Sequence, residues 1–301
     1  MSLDPSTPSA PPAAEAYQLV QLANGTYSVH SVLEDETFHP VIGPVAEAQA
    51  LYVGQTRFRE RLASMGSDRF VVWDVGLGAA ANVATLLAAG AETESTLEIL
   101  SFDKTPEPAW FALRHARELG YPGPWTTPLE RLLENSKPGA EPGSVEFLNG
   151  RQRVRWSLHL GDFPTLLAAR PVLAPPHLVL FDAFSPATNP EMWTLRVFQD
   201  LHAALAPSHG CLLPTYSRST LLRVTLLVAG FFVGRGHATG EKEETTIASN
   251  NPTLIDQPLE RAWLERVRRS TSAEPLHTPV YRQQPLQPET WAALSAHPQF
   301  Q

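Results

Sequence analysis

Four groups of residues combine types and spacings that chemistry uses. The first is Asp74-Val75-Gly76-Leu77-Gly78-Ala79-Ala80-Ala81-Asn82. Glycines directly after an apolar run let the backbone approach a ligand closely, and the helix start beyond them offers free N–H groups. A glycine pair of this kind also occurs in plain turns, and Ala81 stands where a dinucleotide site would carry its third glycine, which counts against a nicotinamide or flavin cofactor. The second is Asp103, at the end of the next apolar run, where an acid receives the paired hydrogen bonds of a ribose diol. With Pro106 and Pro108 nearby it also reads as a helix cap or turn former. In the third, Gly161-Asp162-Phe163, the carboxylate suits either an exocyclic adenine amine or the N-cap of a helix over 164–169.

The fourth group is Phe181-Asp182-Ala183-Phe184-Ser185-Pro186-Ala187-Thr188-Asn189-Pro190-Glu191-Met192-Trp193. A carboxylate at the carboxyl edge of a central strand lies where open α/β sheets bind ligands. Pro186 and Pro190 stiffen the following loop, so Phe184, Asn189 and Trp193 are held ready for a flat substrate. Trp193 reads equally well as a core residue that starts the next helix.

These positions need a scaffold, and the hydropathy pattern supplies one. From Arg69 onward short apolar runs alternate with helical stretches, the pattern of a mostly parallel sheet covered on both faces. Strands are predicted over 70–75, 97–102, 153–160, 178–181 and 210–216, with helices over 82–89, 108–119, 129–135, 195–205 and 220–229. Asn24-Gly25 and Asn149-Gly150 sit between β-prone runs and predict two hairpins, one of them an N-terminal extension. Residues 231–233 and 245–248 predict a terminal antiparallel hairpin. The Pro-rich residues 1–14 read as a disordered tail, 15–65 as the hairpin plus a lead-in helix over 45–62, 66–250 as the main domain, and 251–301 as an arm with one helix over 259–267.

Composition narrows the function classes. No run of about 18 uninterrupted apolar residues is present to cross a membrane. Cys211 is the single cysteine, which excludes an internal disulfide or a thiolate metal cluster and suits a reducing, cytoplasmic setting. The net charge of −8 means that nucleic acid would not be drawn by average charge, so RNA binding needs a local patch.

Gly76-Leu77-Gly78 through Asn82, Ser101-Phe102-Asp103-Lys104, Gly161-Asp162 and Asp182 through Trp193 together resemble the MnmC-type methyltransferases. The likeness extends to Phe38-His39-Pro40, Glu47-Ala48, Thr215-Tyr216-Ser217 and Val228-Ala229-Gly230-Phe231, and so covers about residues 17–250. It implies a Rossmann-like class I fold that moves the methyl of S-adenosyl-L-methionine onto the 5-aminomethyl group of wobble uridine 34 in tRNA. It also implies roles: Asp74, Gly76, Gly78, Asn82 and Lys104 around the cofactor, Asp103 on its ribose, Asp162 on its adenine, Asp182 facing the reacting amine. His39, Phe184, Ser185, Pro186, Asn189 and Trp193 would line the substrate. Better-known members carry a fused FAD-dependent oxidase domain, for which this length leaves no room, implying the stand-alone form. One stretch departs from the family's basic pattern: Gly240-Glu241-Lys242-Glu243-Glu244 would repel phosphates. Arg151, Arg153 and Arg155, or Arg261, Arg266, Arg268 and Arg269, would have to compensate.

An alkyl ammonium has no lone pair, so the reaction needs a group that orients the acceptor and removes its proton. Asp182 is placed for this, with Tyr216 or His39 assisting, and no metal is required. Two other classes fit the same pattern. A small-molecule amine methyltransferase or an aminopropyl transferase would suit the acidic overall charge, and a non-catalytic cofactor-binding partner protein would keep only the fold.

Overall fold

The computed structural model describes residues 16–66, 68–239 and 243–301. The tail assigned to 1–14 therefore lies outside the described residues, as do Gly240, Glu241 and Lys242. The eleven described strands are β1 (Tyr17–Gln21), β2 (Tyr27–Ser31), β3 (Glu36–Thr37), β4 (Arg69–Val75), β5 (Thr96–Asp103), β6 (Gly143–Asn149), β7 (Gln152–Leu160), β8 (Leu178–Phe181), β9 (Leu212–Thr215), β10 (Phe232–Gly236) and β11 (Thr245–Ser249). Strands β1 to β3 form a small antiparallel sheet, and the rest form one eight-stranded sheet in the order β10-β11-β9-β8-β4-β5-β7-β6. Its five central strands are parallel, and both of its edges are closed by antiparallel hairpins. This is the Rossmann-like arrangement with a terminal hairpin that the sequence pattern predicts.

Central β4 carries the unbroken apolar run Phe70-Val71-Val72-Trp73 because both of its faces are covered. Val71, Trp73 and Val75 point into one core with Phe181, Phe198 and Leu222, while Phe70 and Val72 point into the other with Leu86, Leu129 and Trp156. The residues beyond 250 complete the first core, with Leu259, Trp263, Val267, Leu294 and Phe300 all buried in it. Among the described residues no helix is long and apolar enough to cross a membrane.

Three predicted helices differ from what forms. The lead-in is a short helix Pro44–Ala48, a π-helical turn Gln49–Gly54 and a second helix Phe58–Ser64, separated by Arg57 in the left-handed region (φ 50°). The helix predicted to begin at Pro108 runs Glu107–Arg114, breaks at His115 and resumes as Ala116–Leu119. The last of the three starts at Trp263, because residues 255–262 instead run alongside β10, with Leu259 N–H donating to Val233 O at 2.9 Å.

Asp74 belongs to the scaffold. It is 1% exposed, does not line the cavity described below, and accepts a hydrogen bond from Ser101 Oγ at 2.7 Å. Trp156 Nε1 donates to the same hydroxyl at 2.9 Å, so a polar chain ties β4, β5 and β7 together. Burial pushes the Asp74 carboxyl well above the usual carboxylate range, against the pull of the Ser101 bond. Ser101→Ala should strand both partners and lower the unfolding free energy by about 1–3 kcal/mol. Asp74→Asn, which keeps an acceptor for the Ser101 hydroxyl, should change it by less than about 1 kcal/mol. Urea denaturation followed by tryptophan fluorescence measures both.

Candidate active site

Strands β4, β5 and β8 end side by side, and the turns that follow them floor a cavity of about 700 Å³. The small sheet and the residues up to Ile42 supply the opposite wall. A cavity of this size sits within the usual range for small-molecule sites.

The glycine turn is built by close approach. Gly76 (φ 93°) lies so near the chain after β8 that a Cβ there would stand 2.8 Å from the Asp182 carbonyl oxygen. Gly78 N–H donates to Asp103 Oδ2 at 2.9 Å, and Thr105 N–H donates to Oδ1 at 3.2 Å. Asp103 thus fixes the turn as well as facing the cavity, and burial raises its pKa against the pull of these amides. Asn82, one residue into helix Ala81–Gly90, donates from Nδ2 to Asp182 Oδ2 at 2.7 Å.

His39 reaches the same oxygen from the opposite wall. Its Nε2 lies 3.3 Å from Asp182 Oδ2 and its Nδ1 lies 3.3 Å from Glu47 Oε1. Burial opposes a charge on this imidazole, but the Asp182 and Glu47 carboxylates outweigh it and push the pKa up to about 9. Burial in turn raises Asp182, which the His39 charge and the Asn82 bond counteract. The three ligand atoms lie within 4.8 Å of one another, a spacing that a cation could share. Here the imidazole stands between the carboxylates with one nitrogen toward each, so that as an imidazolium it offers one N–H to Glu47 and the other to Asp182. Tyr216 lines the cavity with its ring edge-on to Trp193, and burial raises its pKa.

The loop after β8 is held from both sides. Glu36 accepts from Ser185 N–H and Ser185 Oγ, both at 3.1 Å, and Phe38 meets Phe184 edge-on at 5.4 Å. Trp193, 1% exposed, packs against Phe181 and donates from Nε1 to Phe184 O at 2.7 Å. It supports the loop from beneath and does not line the cavity, and neither does Pro186. Phe184, Ser185 and Asn189 do, the last with its amide nitrogen 3.0 Å from both Glu191 oxygens.

Asp162 is also outside the lining, although Gly161 and Phe163 on either side of it are inside. It caps helix Phe163–Ala168, accepting from Thr165 N–H at 3.1 Å and Thr165 Oγ1 at 2.6 Å. Lys104 bridges it at 3.4 Å to Glu191 at 2.9 Å and so closes one rim.

Sequence reasoning gives no role to Glu36, Phe38 or Glu47, which the small sheet and its following helix carry in. The signal available was the resemblance across Phe38-His39-Pro40 and Glu47, without the geometry that makes Glu47 a partner of His39. The resulting walls hold seven carboxylates, from Glu34, Asp35, Glu36, Glu47, Asp103, Asp182 and Glu191, against Lys104 and the His39 imidazolium. Such a field favours cationic ligands.

Residues 128–251 match a family model described as S-adenosyl-L-methionine-dependent methyltransferase. The tRNA 5-methylaminomethyl-2-thiouridine biosynthesis bifunctional protein MnmC of Cupriavidus necator is 30% identical over 239 residues, 77% of this chain and 35% of that protein. The MnmC of Methylibium petroleiphilum is 31% identical over 239 residues, 76% of this chain and 34% of that protein. The chain thus spans about a third of the length of these relatives. Among solved structures, MnmC2 from Aquifex aeolicus shares the fold with a TM-score of 0.64 at 23% identity, covering 92% of this chain and 82% of that one. A spermidine synthase bound to the transition-state analogue AdoDATO shares it at 0.51 and 11% identity, covering 94% and 82%.

Gly76→Ala should be costly on two counts, the positive φ and the 2.8 Å approach to the Asp182 carbonyl. A loss of about 1–3 kcal/mol in chemical denaturation is the expected result.

Proposed function

As a member of the MnmC-type methyltransferase family, this chain, we propose, is an S-adenosyl-L-methionine-dependent N-methyltransferase whose acceptor is the 5-aminomethyl group of the wobble uridine in tRNA. The observation that carries the reading is the chain Glu47–His39–Asp182, which brings a proton-handling carboxylate to the tip of β8 beside the glycine turn.

The cavity fits the cofactor. Its carboxylate-rich walls suit a sulfonium and an ammonium, and its volume of about 700 Å³ accommodates both partners. Gly76 and Gly78 would hold the methionine part, Asp103 the ribose, and the backbone at Gly161 with the Phe163 ring the adenine. When bound, S-adenosyl-L-methionine supplies an electrophilic methyl group on a positively charged sulfur.

The chain's own residues prepare the acceptor. An aminomethyl group enters as an ammonium and must lose one proton before its lone pair is free. The Asp182 carboxylate receives that proton, and its Oδ2 is held in place by Asn82 and His39. The His39 imidazolium keeps Asp182 ionised until then, and Glu47 fixes the imidazole through its other nitrogen. Phe184, clamped by Phe38 and by Trp193, offers a ring for the uracil face. The tRNA substrate places this activity in the cytoplasm.

The seven cavity carboxylates also favour a second reading, in which a free polyamine is the acceptor. Assaying purified protein on undermodified tRNA and on polyamines in parallel separates the two. Methylation of tRNA alone supports the first, and transfer to polyamines alone rejects it.

Asp182→Asn should cut kcat by about 10²–10⁴-fold while leaving the Kd for S-adenosyl-L-methionine, read by calorimetry, within a few-fold. Near-normal turnover would remove Asp182 from the chemistry. His39 also makes a stability prediction. Because its pKa rises from 6.5 to about 9 on folding, its contribution is fully present below pH 6.5 and is lost as pH climbs through 9. The Tm difference between wild type and His39→Gln should therefore be larger at pH 6.5 than at pH 9.5.

A further inference from the structure

The arginines outside the cavity fall at two ends of the sheet. Arg151, Arg153 and Arg155 lie at the start of β7, where Arg153 pairs with Thr96 at the beginning of β5, the end opposite the cavity. They are also partly neutralised, Arg151 by Glu94 at 2.8 Å and Arg155 by Glu146 at 4.0 Å.

A second set lies at the cavity's end. The register aligns Arg235 with Thr246 and Thr246 with Thr215, so Arg235 stands two strand spacings, about 10 Å, from the residue preceding Tyr216. Arg223, in the first turn of helix Thr220–Val228, is 2% exposed and donates to Glu244 at 3.0 Å, Thr246 Oγ1 at 3.0 Å and Thr245 O at 2.8 Å. Arg235 meets the other Glu244 oxygen at 3.7 Å and is 56% exposed. Arg266 is exposed on helix Trp263–Arg269, whose Trp263, Leu264 and Val267 pack into the same core as Leu221, Leu222 and Val224 of the Arg223 helix, and its charge, like that of Arg235, bears on the Arg223 guanidinium. Arg218 is exposed two residues beyond Tyr216.

This arrangement changes the meaning of the acidic stretch. Glu244 does not stand free to repel phosphates, because Arg223 and Arg235 hold it. Set against Glu244 and exposed Glu243 alone, the four guanidiniums of Arg218, Arg223, Arg235 and Arg266 leave two positive charges over. The rim beside Tyr216 is thus positive while the cavity it borders is negative.

We propose that Arg218, Arg235 and Arg266 form the phosphate-binding half of the acceptor site, over which an RNA backbone runs while the amine it carries enters the acidic cavity past Tyr216. The proposal rests on the tRNA reading and sharpens it. A ligand that satisfies both fields must bear a cationic amine and several phosphates in one molecule, which a modified nucleotide within RNA does and a free polyamine does not. Arg223, buried and tied to β11, acts as the rigid base of the cluster.

The test is the double variant Arg235→Gln/Arg266→Gln, with Arg153→Gln/Arg155→Gln as the far-end control. Binding of undermodified tRNA is followed by fluorescence anisotropy across a salt series. Methylation of tRNA and of 5-aminomethyluridine nucleoside is assayed beside it. The double variant should bind tRNA at least ten-fold more weakly, with the slope of log K against log salt reduced by about 0.7–0.9 for each arginine lost. Its methylation of the nucleoside should match wild type, which also reports that it is folded. The control pair should bind tRNA like wild type. Wild-type tRNA methylation together with unchanged affinity and salt slope in the double variant would overturn the arginine site alone. So would a loss of affinity confined to the control pair. Wild-type protein that ignores tRNA but transfers to a free polyamine would overturn the arginine site and the acceptor reading together.

Discussion

A carboxylate withdrawn from water is expensive unless charges and hydrogen bonds compensate it, and Asp182 places that demand on three separate stretches of the chain. Asn82 answers from the helix behind the glycine turn, and His39 answers from beyond the small sheet. The main chain at Asp182 presses against Gly76 closely enough to forbid a side chain there. Satisfying Asp182 therefore fixes the relative positions of the glycine turn, the loop after β8 and the wall that faces them. The second carboxylate, Glu47, extends the demand one step further, since the imidazolium needs a partner on its other nitrogen.

The electrostatic plan follows from the same economy. The central sheet gathers acids at the tips of β5 and β8, and the small sheet adds Glu34, Asp35 and Glu36. The arginines gather on the strands and helices that close the sheet's other flank, around β10 and β11. Net charge describes neither region. A chain of formal charge −8 carries both a strongly negative hollow and a positive rim.

Much of this was legible in the residues and some of it was not, for identifiable reasons. The parallel strands announce themselves as apolar runs because both faces are buried, and the glycine turn and Asp182 fall at their carboxyl ends, where the topology obliges ligands to sit. Asp74 and Trp193 share those local signatures, yet strand alternation turns the first inward to Ser101 and loop packing turns the second beneath Phe184. Asp162 shows its cap plainly and its nearness to the cavity only through its neighbours. The lead-in helix is interrupted by a π-helical turn over Gln49–Gly54 and by Arg57 in the left-handed region, departures that helix propensity alone does not register. Glu244 is the clearest case of context reversing a reading, since its sign in the sequence says nothing about the two guanidiniums that claim it.

The wall opposite the sheet is made by a stretch of polypeptide that contributes no strand to it. Through Glu36, Phe38 and His39 it grips the loop after β8, while the turn and the carboxylate at the tips of β4 and β5 belong wholly to the main sheet. The two walls of the cavity are in this way supplied by different stretches of the chain. Substitutions in residues 17–42 would therefore reshape one wall of the cavity while leaving the Gly78–Asp103 contact at the strand tips in place.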